Sequence, residues 1–259
     1  MTVRQAAFAP DSGVVASVHA SANAGPRNNQ LKPSVLLMHY TGMPSAARAI
    51  DWLSRPESKV SCHYVIDTDG RITQMVPEAL RAWHAGLSYW AGESDINSAS
   101  IGIEIQNPGH EDGYHPFPRA QMRAVRDLAL DIQRRHAIAP ERILAHSDVA
   151  PLRKIDPGEK FDWRWLAQAG VGHWVAPVAI RAAERLASDP GLVSAASSLL
   201  AAYGYGVGVA GVSGPDLATV VRAFQRHFRP ARVDGIVDRS TLETLERLLN
   251  ALAKDAVLN

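Results

Sequence analysis

Ser100-Ile101-Gly102-Ile103-Glu104-Ile105 is the stretch on which the fold turns. Isoleucine recurs at every second position, the period of a strand with one buried face, and Glu104 falls on the face opposite the isoleucines. Upstream, Ser34-Val35-Leu36-Leu37-Met38 is an apolar run of strand length. Two further apolar runs, 60–66 and 71–76, flank Thr68-Asp69-Gly70 and predict a hairpin. Between the first strand and the hairpin, Ala46, Ala47, Ala49, Ile50 and Leu53 recur at helical spacing, which predicts a helix over one sheet face. Downstream, residues 118–136 carry Met122, Val125, Leu128, Ala129 and Ile132 at steps of three and four behind a proline, an amphipathic helix. Arg142-Ile143-Leu144 is short and strand-like. Strands mixed with helices in this order predict an α+β fold, a mixed β-sheet flanked by helices.

The two ends read differently. Residues 1–32, rich in Ala, Ser, Asn, Gly and Pro without periodicity, predict a segment lying loosely on the surface. Beyond about residue 175 every pattern is helical. Asp189-Pro190 can open a helix carrying Leu192, Ala195, Ala196, Leu199, Leu200 and Tyr203, which the glycine-rich 204–214 stretch would end. A second helix opens at Pro215 with Leu217, Val220, Val221, Phe224 and Phe228 on one stripe. A third follows Ser240 with Glu243 three positions on, a capping box. Three short amphipathic helices are expected to bury their stripes against one another as a small all-α domain. The expected organisation is an N-terminal segment (1–32), a catalytic domain (33–175), a linker (176–188) and a three-helix domain (189–259).

With 259 residues, 46% hydrophobic and 20% charged, the chain has enough apolar material for a large and a small core. Its 27 basic and 26 acidic side chains leave a formal charge of +1, without the concentrated basic character that nucleic-acid binding needs. The single cysteine, Cys62, cannot form an internal disulfide. No apolar stretch approaches the ~18–20 residues that span a bilayer, so no integral membrane segment is expected. Pro10, Asp11, Ser12 and Gly13 interrupt what would be the apolar core of a secretory signal, which favours a cytoplasmic reading.

Histidine position carries the chemistry. His39 follows the strand Val35 to Met38, where a side chain can emerge into a cleft, although a histidine there is more often structural when taken alone. His146-Ser147-Asp148-Val149-Ala150-Pro151-Leu152-Arg153-Lys154-Ile155-Asp156-Pro157-Gly158 sets an imidazole and a carboxylate ten positions apart across a loop. Imidazole nitrogen and carboxylate oxygen suit zinc, and three protein ligands with an open fourth position define a hydrolytic zinc site. Cys62 and His63 would point to opposite faces of a strand and are read as sheet residues. His110 and His115 fall in a polar loop and are read as solvated.

Five stretches together resemble the type-2 N-acetylmuramoyl-L-alanine amidases of bacterial cell-wall peptidoglycan. They are Leu37-Met38-His39-Tyr40-Thr41, Ser61-Cys62-His63-Tyr64-Val65-Ile66, Ala82-Trp83-His84-Ala85-Gly86, Ser100 to Ile105, and His146 to Gly158, in the family's order. The resemblance implies Zn2+ held by His39, His146 and Asp156, polarising the scissile amide carbonyl and acidifying the attacking water. It implies Glu104 as general base and Lys154 as the cation that stabilises the oxyanion. His84, Trp83 and Asn107 are expected along the substrate groove, with a hydrogen-bonded structural role the alternative for His84. Val221 to Pro230 with Val233-Asp234-Gly235-Ile236-Val237-Asp238 is similar to the three-helix peptidoglycan-binding domain of many wall hydrolases.

The implied reaction is hydrolysis of the amide between the lactyl group of N-acetylmuramic acid and the L-alanine of the stem peptide, with peptidoglycan or muropeptide as partner. Lack of a signal favours recycling of 1,6-anhydro-muropeptides, whereas a wall-binding domain favours a periplasmic enzyme and intact wall. A non-catalytic binder or sensor of wall fragments would be marked by loss of a zinc ligand, and all three are present. A zinc peptidase of another class would carry a helical His-Glu-x-x-His element, which the sequence lacks.

Overall fold

The computed structural model describes residues 8–180, 190–211 and 216–258, with side chains to Lys254. Its centre is the apolar run anticipated after Pro33, which forms β3 (Val35–Tyr40), buried along almost its whole length. The alternating stretch is β7 (Ser100–Ile105), paired parallel to β3 with His39 opposite Glu104. On the other side of β3 lies β8 (Ile143–Ala145), also parallel. The hairpin is β4 (Tyr64–Ile66) against β5 (Ile72–Gln74), antiparallel, with β4 parallel to β7. The sheet is mixed, as expected. Parallel neighbours are joined by crossovers that include helices, so both sheet faces are covered and β3 is apolar from Val35 to Met38 rather than alternating.

One face is covered by α3 (Arg119–His136), whose Met122, Val125, Leu128, Ala129 and Ile132 meet Ile101, Ile103 and Ile105 of β7. Each such side chain fully buried is worth ~1.5–3 kcal/mol of transfer free energy. The helix α1 (Ala46–Ser54), N-capped by the Ser45 hydroxyl on the Arg48 amide, sets Ala46, Ala49 and Leu53 against Cys62, Val65 and Met75. Cys62 and His63 are buried beside β4, immediately before its first residue.

The N-terminal segment departs from the expectation of a loose surface stretch. From residue 8 onward it is built into the domain: β1 (Ser17–Val18) adds to the sheet edge parallel to β5, giving the order β1-β5-β4-β7-β3-β8. A second strand, β2 (Ala24–Pro26), forms a separate antiparallel pair with β6 (Leu80–Ala82). Asn23 supplies three side-chain hydrogen bonds that tie it to the segment after α1, to Arg55 O, Ser58 Oγ and Val60 O. Two- and three-residue strands leave no periodicity to read.

Between β6 and β7 a short helix, α2 (Ile96–Ala99), leads into the central strand. After β8 the chain makes a single turn, α4 (His146–Val149), and later α5 (Trp163–Gln168). The C-terminal helices are α6 (Pro190–Tyr203), α7 (Leu217–Phe228) and α8 (Arg239–Leu258). Asp189 and Pro215, expected at two helix starts, lie outside the described residues, as does much of the expected linker. At α7 the cap is the Asp216 carboxylate on the Ala218 amide. At α8 the cap is Asp238, not Ser240: Asp238 Oδ1 accepts from the Thr241 amide, while the Ser240 hydroxyl donates to Val178 O.

The expectation that these helices bury their stripes only against one another is also corrected. One continuous core joins Val220, Val221, Phe224, Phe228, Leu245 and Leu248 to Val35, Leu37, Trp90, Leu144 and Val149 of the sheet side. Trp90 meets Tyr203 and Tyr205 edge to face at 5.9 and 4.9 Å. The helical unit therefore closes the sheet face that α3 leaves open.

Candidate active site

The strand register brings the first two functional side chains together. His39 and Glu104 are Cα partners on adjacent parallel strands, so their side chains leave the sheet on the same face near the C-terminal strand ends. His146 opens α4 directly after β8, the strand on the other side of β3. Asp156 is drawn to the same place by a backbone bond, Ser147 N–H to Asp156 O at 3.0 Å. His39 Nδ1, His146 Nδ1 and Asp156 Oδ2 form a triangle with edges of 2.9, 3.1 and 3.0 Å, and all three residues are buried.

The hydrogen bonds around the triangle fix which atoms bear lone pairs. His146 Nε2 faces the carbonyl of Ala85 at 3.1 Å, which can only accept, so Nε2 carries the proton and Nδ1 turns a lone pair inward. For His39 the inference runs through two neighbours. The Ser100 hydroxyl donates to Ile96 O at 2.5 Å, so its oxygen accepts from His84 Nε2 at 3.3 Å. His84 Nδ1 is then an acceptor for His39 Nε2–H at 3.0 Å, and His39 Nδ1 also turns a lone pair inward. Two imidazole lone pairs and a carboxylate oxygen thus converge with no proton among them, an arrangement that repels unless a cation sits between them. The donor set and its outer hydrogen bonds fit a zinc ion.

The electrostatics agree. Burial, reinforced by the neighbouring His146, lowers the His39 pKa to about 4, so the ring is neutral at ordinary pH. Burial alone would raise Asp156, but its contacts with His146 and His39 outweigh that and hold it well below the usual carboxylate range. Glu104 moves the other way: burial first, then the charge of Asp156, push its pKa well above normal, against an opposing pull from Lys154. Its Oε2 is buried without a hydrogen-bond partner among the described residues. The face of β7 that carries Glu104 is therefore the floor of a cleft rather than open solvent.

That cleft is a cavity of about 480 Å³ lined by the triangle, Glu104 and Lys154. Met43, Trp52, Val60 and Trp83 contribute apolar and aromatic surface to it, and the Trp83 indole N–H is buried without a partner among the described residues. Tyr40 and His110 also line it. His110, expected to be a solvated loop residue, is instead fixed: Nδ1 lies 3.2 Å from Tyr40 Oη, Nε2 lies 3.1 Å from Glu159, and its ring stacks on Tyr114 at 4.1 Å. His115 is exposed and stays with its own loop.

This chain is similar to others of known sequence and structure. Residues 29–159 match the family model described as N-acetylmuramoyl-L-alanine amidase, and residues 190–245 match a peptidoglycan binding domain. The N-acetylmuramoyl-L-alanine amidase AmiD of Escherichia coli K12 is 38% identical over 244 residues, 85% of this chain and 84% of that one. The chain belongs to the N-acetylmuramoyl-L-alanine amidase family. Its fold superposes on E. coli AmiD in complex with anhydro-N-acetylmuramic acid-L-Ala-D-gamma-Glu-L-Lys with a TM-score of 0.73, covering 86% of this chain and 90% of that one. AMPDH3 of Pseudomonas aeruginosa, solved with anhydromuramic pentapeptide, gives 0.72 at 32% identity, covering 88% and 95%.

In this amidase the groove residues expected from sequence separate. Trp83 and His84 line the cavity, though both nitrogens of His84 are committed to His39 and Ser100. Asn107 does not reach the wall. It is fully buried beneath the loop, its amide donating to His115 O and its oxygen accepting from the Gly109 N–H. Asp148, to which sequence reasoning assigned no role, is fully buried with three hydrogen bonds. A carboxylate two positions after His146, in a stretch whose other residues are mostly apolar, was the available signal.

Proposed function

We propose that the amidase is a zinc enzyme that acts on 1,6-anhydro-muropeptides, cleaving between the lactyl group and L-alanine. The observation that carries this is the convergence of three lone-pair donors within 3.1 Å of one another beside the unpartnered Oε2 of Glu104. His39, His146 and Asp156 would hold the ion. A bound zinc ion supplies Lewis acidity to the scissile carbonyl and the attacking water. Glu104, with its raised pKa, takes the proton of that water and returns it to the departing amine of L-alanine. Lys154, which lines the same cavity, offers its positive charge to the carbonyl oxygen as it becomes tetrahedral. The substrate class is supported by the E. coli and P. aeruginosa relatives, which are solved with anhydromuramic peptides.

The test is digestion of purified 1,6-anhydro-muropeptide and of intact sacculi, with and without a chelator, with products identified by mass. Free stem peptide should appear from the anhydro-muropeptide, vanish with chelator and return with added zinc. Release that survives complete chelation overturns the zinc reading. Digestion of sacculi without any release from the anhydro-muropeptide overturns the substrate assignment.

A further inference from the structure

Asp148 takes no part in the donor triangle, yet it is wholly buried and its carboxylate receives three hydrogen bonds. Oδ2 accepts from the Ala145 backbone N–H at 2.8 Å and from His227 Nδ1 at 2.7 Å, and Oδ1 accepts from the Tyr205 hydroxyl at 2.7 Å. Ala145 ends β8 and immediately precedes the ligand His146. The other two donors belong to the C-terminal unit: His227 lies on α7, and Tyr205 follows α6. The His227 ring is itself held, stacked on Trp163 of α5 at 3.8 Å and on Phe228 at 3.9 Å.

The turn that carries His146 cannot hold its own place. A four-residue helix closes little more than one turn, here through Ala150 N–H to His146 O at 3.0 Å, and a single turn of helix is not stable by itself. Its orientation must come from outside, and the Asp148 carboxylate is the link, bonded at one end to the turn's own N-terminus and at the other to α7 and Tyr205. Because Ser147 N–H also binds Asp156 O, a displacement of this turn moves two metal ligands together. With no arginine or lysine partner among the described residues, this buried carboxylate depends on its three donors. Loss of the Tyr205 hydroxyl leaves Oδ1 unpaired, loss of His227 leaves Oδ2 to Ala145 alone, and either slackens the hold on the turn.

We propose that Asp148, clamped by His227 and Tyr205, is a positioning residue for the metal centre, and that the C-terminal unit is thereby a structural part of the site. This rests on the reading of His39, His146 and Asp156 as a zinc site. Partners one shell out from a metal typically change its affinity or the activity 10–100-fold, which sets the size of effect to look for.

The experiment uses the full chain and four variants: Tyr205→Phe, His227→Phe, His227→Gln, and Leu248→Ala on α8 as a change in the shared core away from Asp148 and its two donors. Zinc affinity is measured by competition with a fluorescent chelator, the visible spectrum is recorded after cobalt substitution, and melting is followed in the metal-free protein. Tyr205→Phe and His227→Phe should bind zinc about 10-fold or more weakly and shift the cobalt bands. His227→Gln, which keeps an N–H donor, should recover part of that loss. Leu248→Ala should lower melting with zinc affinity unchanged. Tyr205→Phe removes a single oxygen and gives the readout even if His227→Phe fails to fold. Wild-type zinc affinity and cobalt spectra in Tyr205→Phe and in whichever His227 variants fold, with only melting lowered, overturn the proposal. Absence of zinc binding in the unaltered chain would overturn the zinc reading itself along with it, so the two failures are told apart.

Discussion

Single side chains in this site are pulled toward opposite protonation states by where they sit, and that can be measured. Glu104 has its pKa raised by burial and by Asp156, so above that pKa its ionised form costs folding energy that it does not cost below the unfolded value. Glu104→Gln should therefore lower turnover by ~10²–10⁴-fold, keep its zinc, and leave the metal-free protein melting no lower than the parent at pH 7. Loss of zinc or a lower melting temperature would show that the carboxylate is structural. His63 shows the reverse case. Its Nδ1 accepts from the Gly102 N–H at 3.0 Å and its Nε2 donates to Leu80 O, so no second proton can be added without losing the bond to β7. Burial first, then the nearby Arg27, lower its pKa to about 3. Below pH ~6.5 the unfolded chain takes up a proton that the folded chain refuses, so stability falls from there down to about pH 3. At ~1.36 kcal/mol per unit the loss is on the order of 4–5 kcal/mol. In urea titrations His63→Gln should lose clearly less stability than the parent between pH 6.5 and 4; equal slopes would remove His63 from the account. Gly102 is fixed by close approach: a Cβ there would lie 2.5 Å from His84 Nδ1. Gly102→Ala should displace the ring that orients His39 and weaken zinc binding, read by chelator competition.

Elements were legible in the sequence where their period was long enough to repeat. Residues 100–105 and the 118–136 helix formed as read, because alternation and the 3.6-residue period report which face is buried, while the hairpin about Asp69-Gly70 formed with shorter strands, Tyr64–Ile66 and Ile72–Gln74, than the 60–66 and 71–76 expected. β1 and β2 were not legible, since two or three residues cannot show a period and their partners, β5 and β6, lie more than 50 residues away. Of the site, the convergence of His39, His146 and Asp156 was not written in their spacing; it followed from the family resemblance, while the roles of Asp148 and His110 depend on contacts that no local pattern announces. The α8 cap illustrates how tertiary contacts decide between neighbouring candidates. Ser240 had the better local signature, but Asp238 also receives Arg229, 2.9 Å from its Oδ2, and Arg232. Arg229 is almost completely buried, so Asp238 is its charge partner as well as the helix cap. Asp238→Ala should therefore cost about 3–5 kcal/mol rather than the ~1 kcal/mol of a lost cap, because it leaves the buried guanidinium only its longer contact with Asp234, at 3.7 Å. Denaturant unfolding measures this directly, and a loss near 1 kcal/mol would mean that Arg229 finds water or Asp234 instead.

At the scale of the whole molecule, the binding domain and the catalytic sheet share one interior. The helical stripes were read correctly as apolar, but an amphipathic pattern says that a face is buried and not against what. The clue lay in α7, where Ala223, Gln225 and His227 are buried along with the Val220, Val221, Phe224 and Phe228 stripe, a helix enclosed on more than one side. Leu37, Leu144, Val149 and Trp90, on the catalytic side, depend on α6 to α8 for their cover. A chain ended at residue 180 would present these side chains to water as a contiguous apolar surface, larger than soluble monomers ordinarily expose. It should bind a hydrophobic dye, melt well below the parent and associate on size-exclusion chromatography, and it should bind zinc more weakly because Asp148 has lost two of its three donors. If it were instead monomeric, dye-silent and as stable as the parent, the sheet face would not need the helices. The C-terminal unit would then be a separable module of the kind that its own sequence suggests.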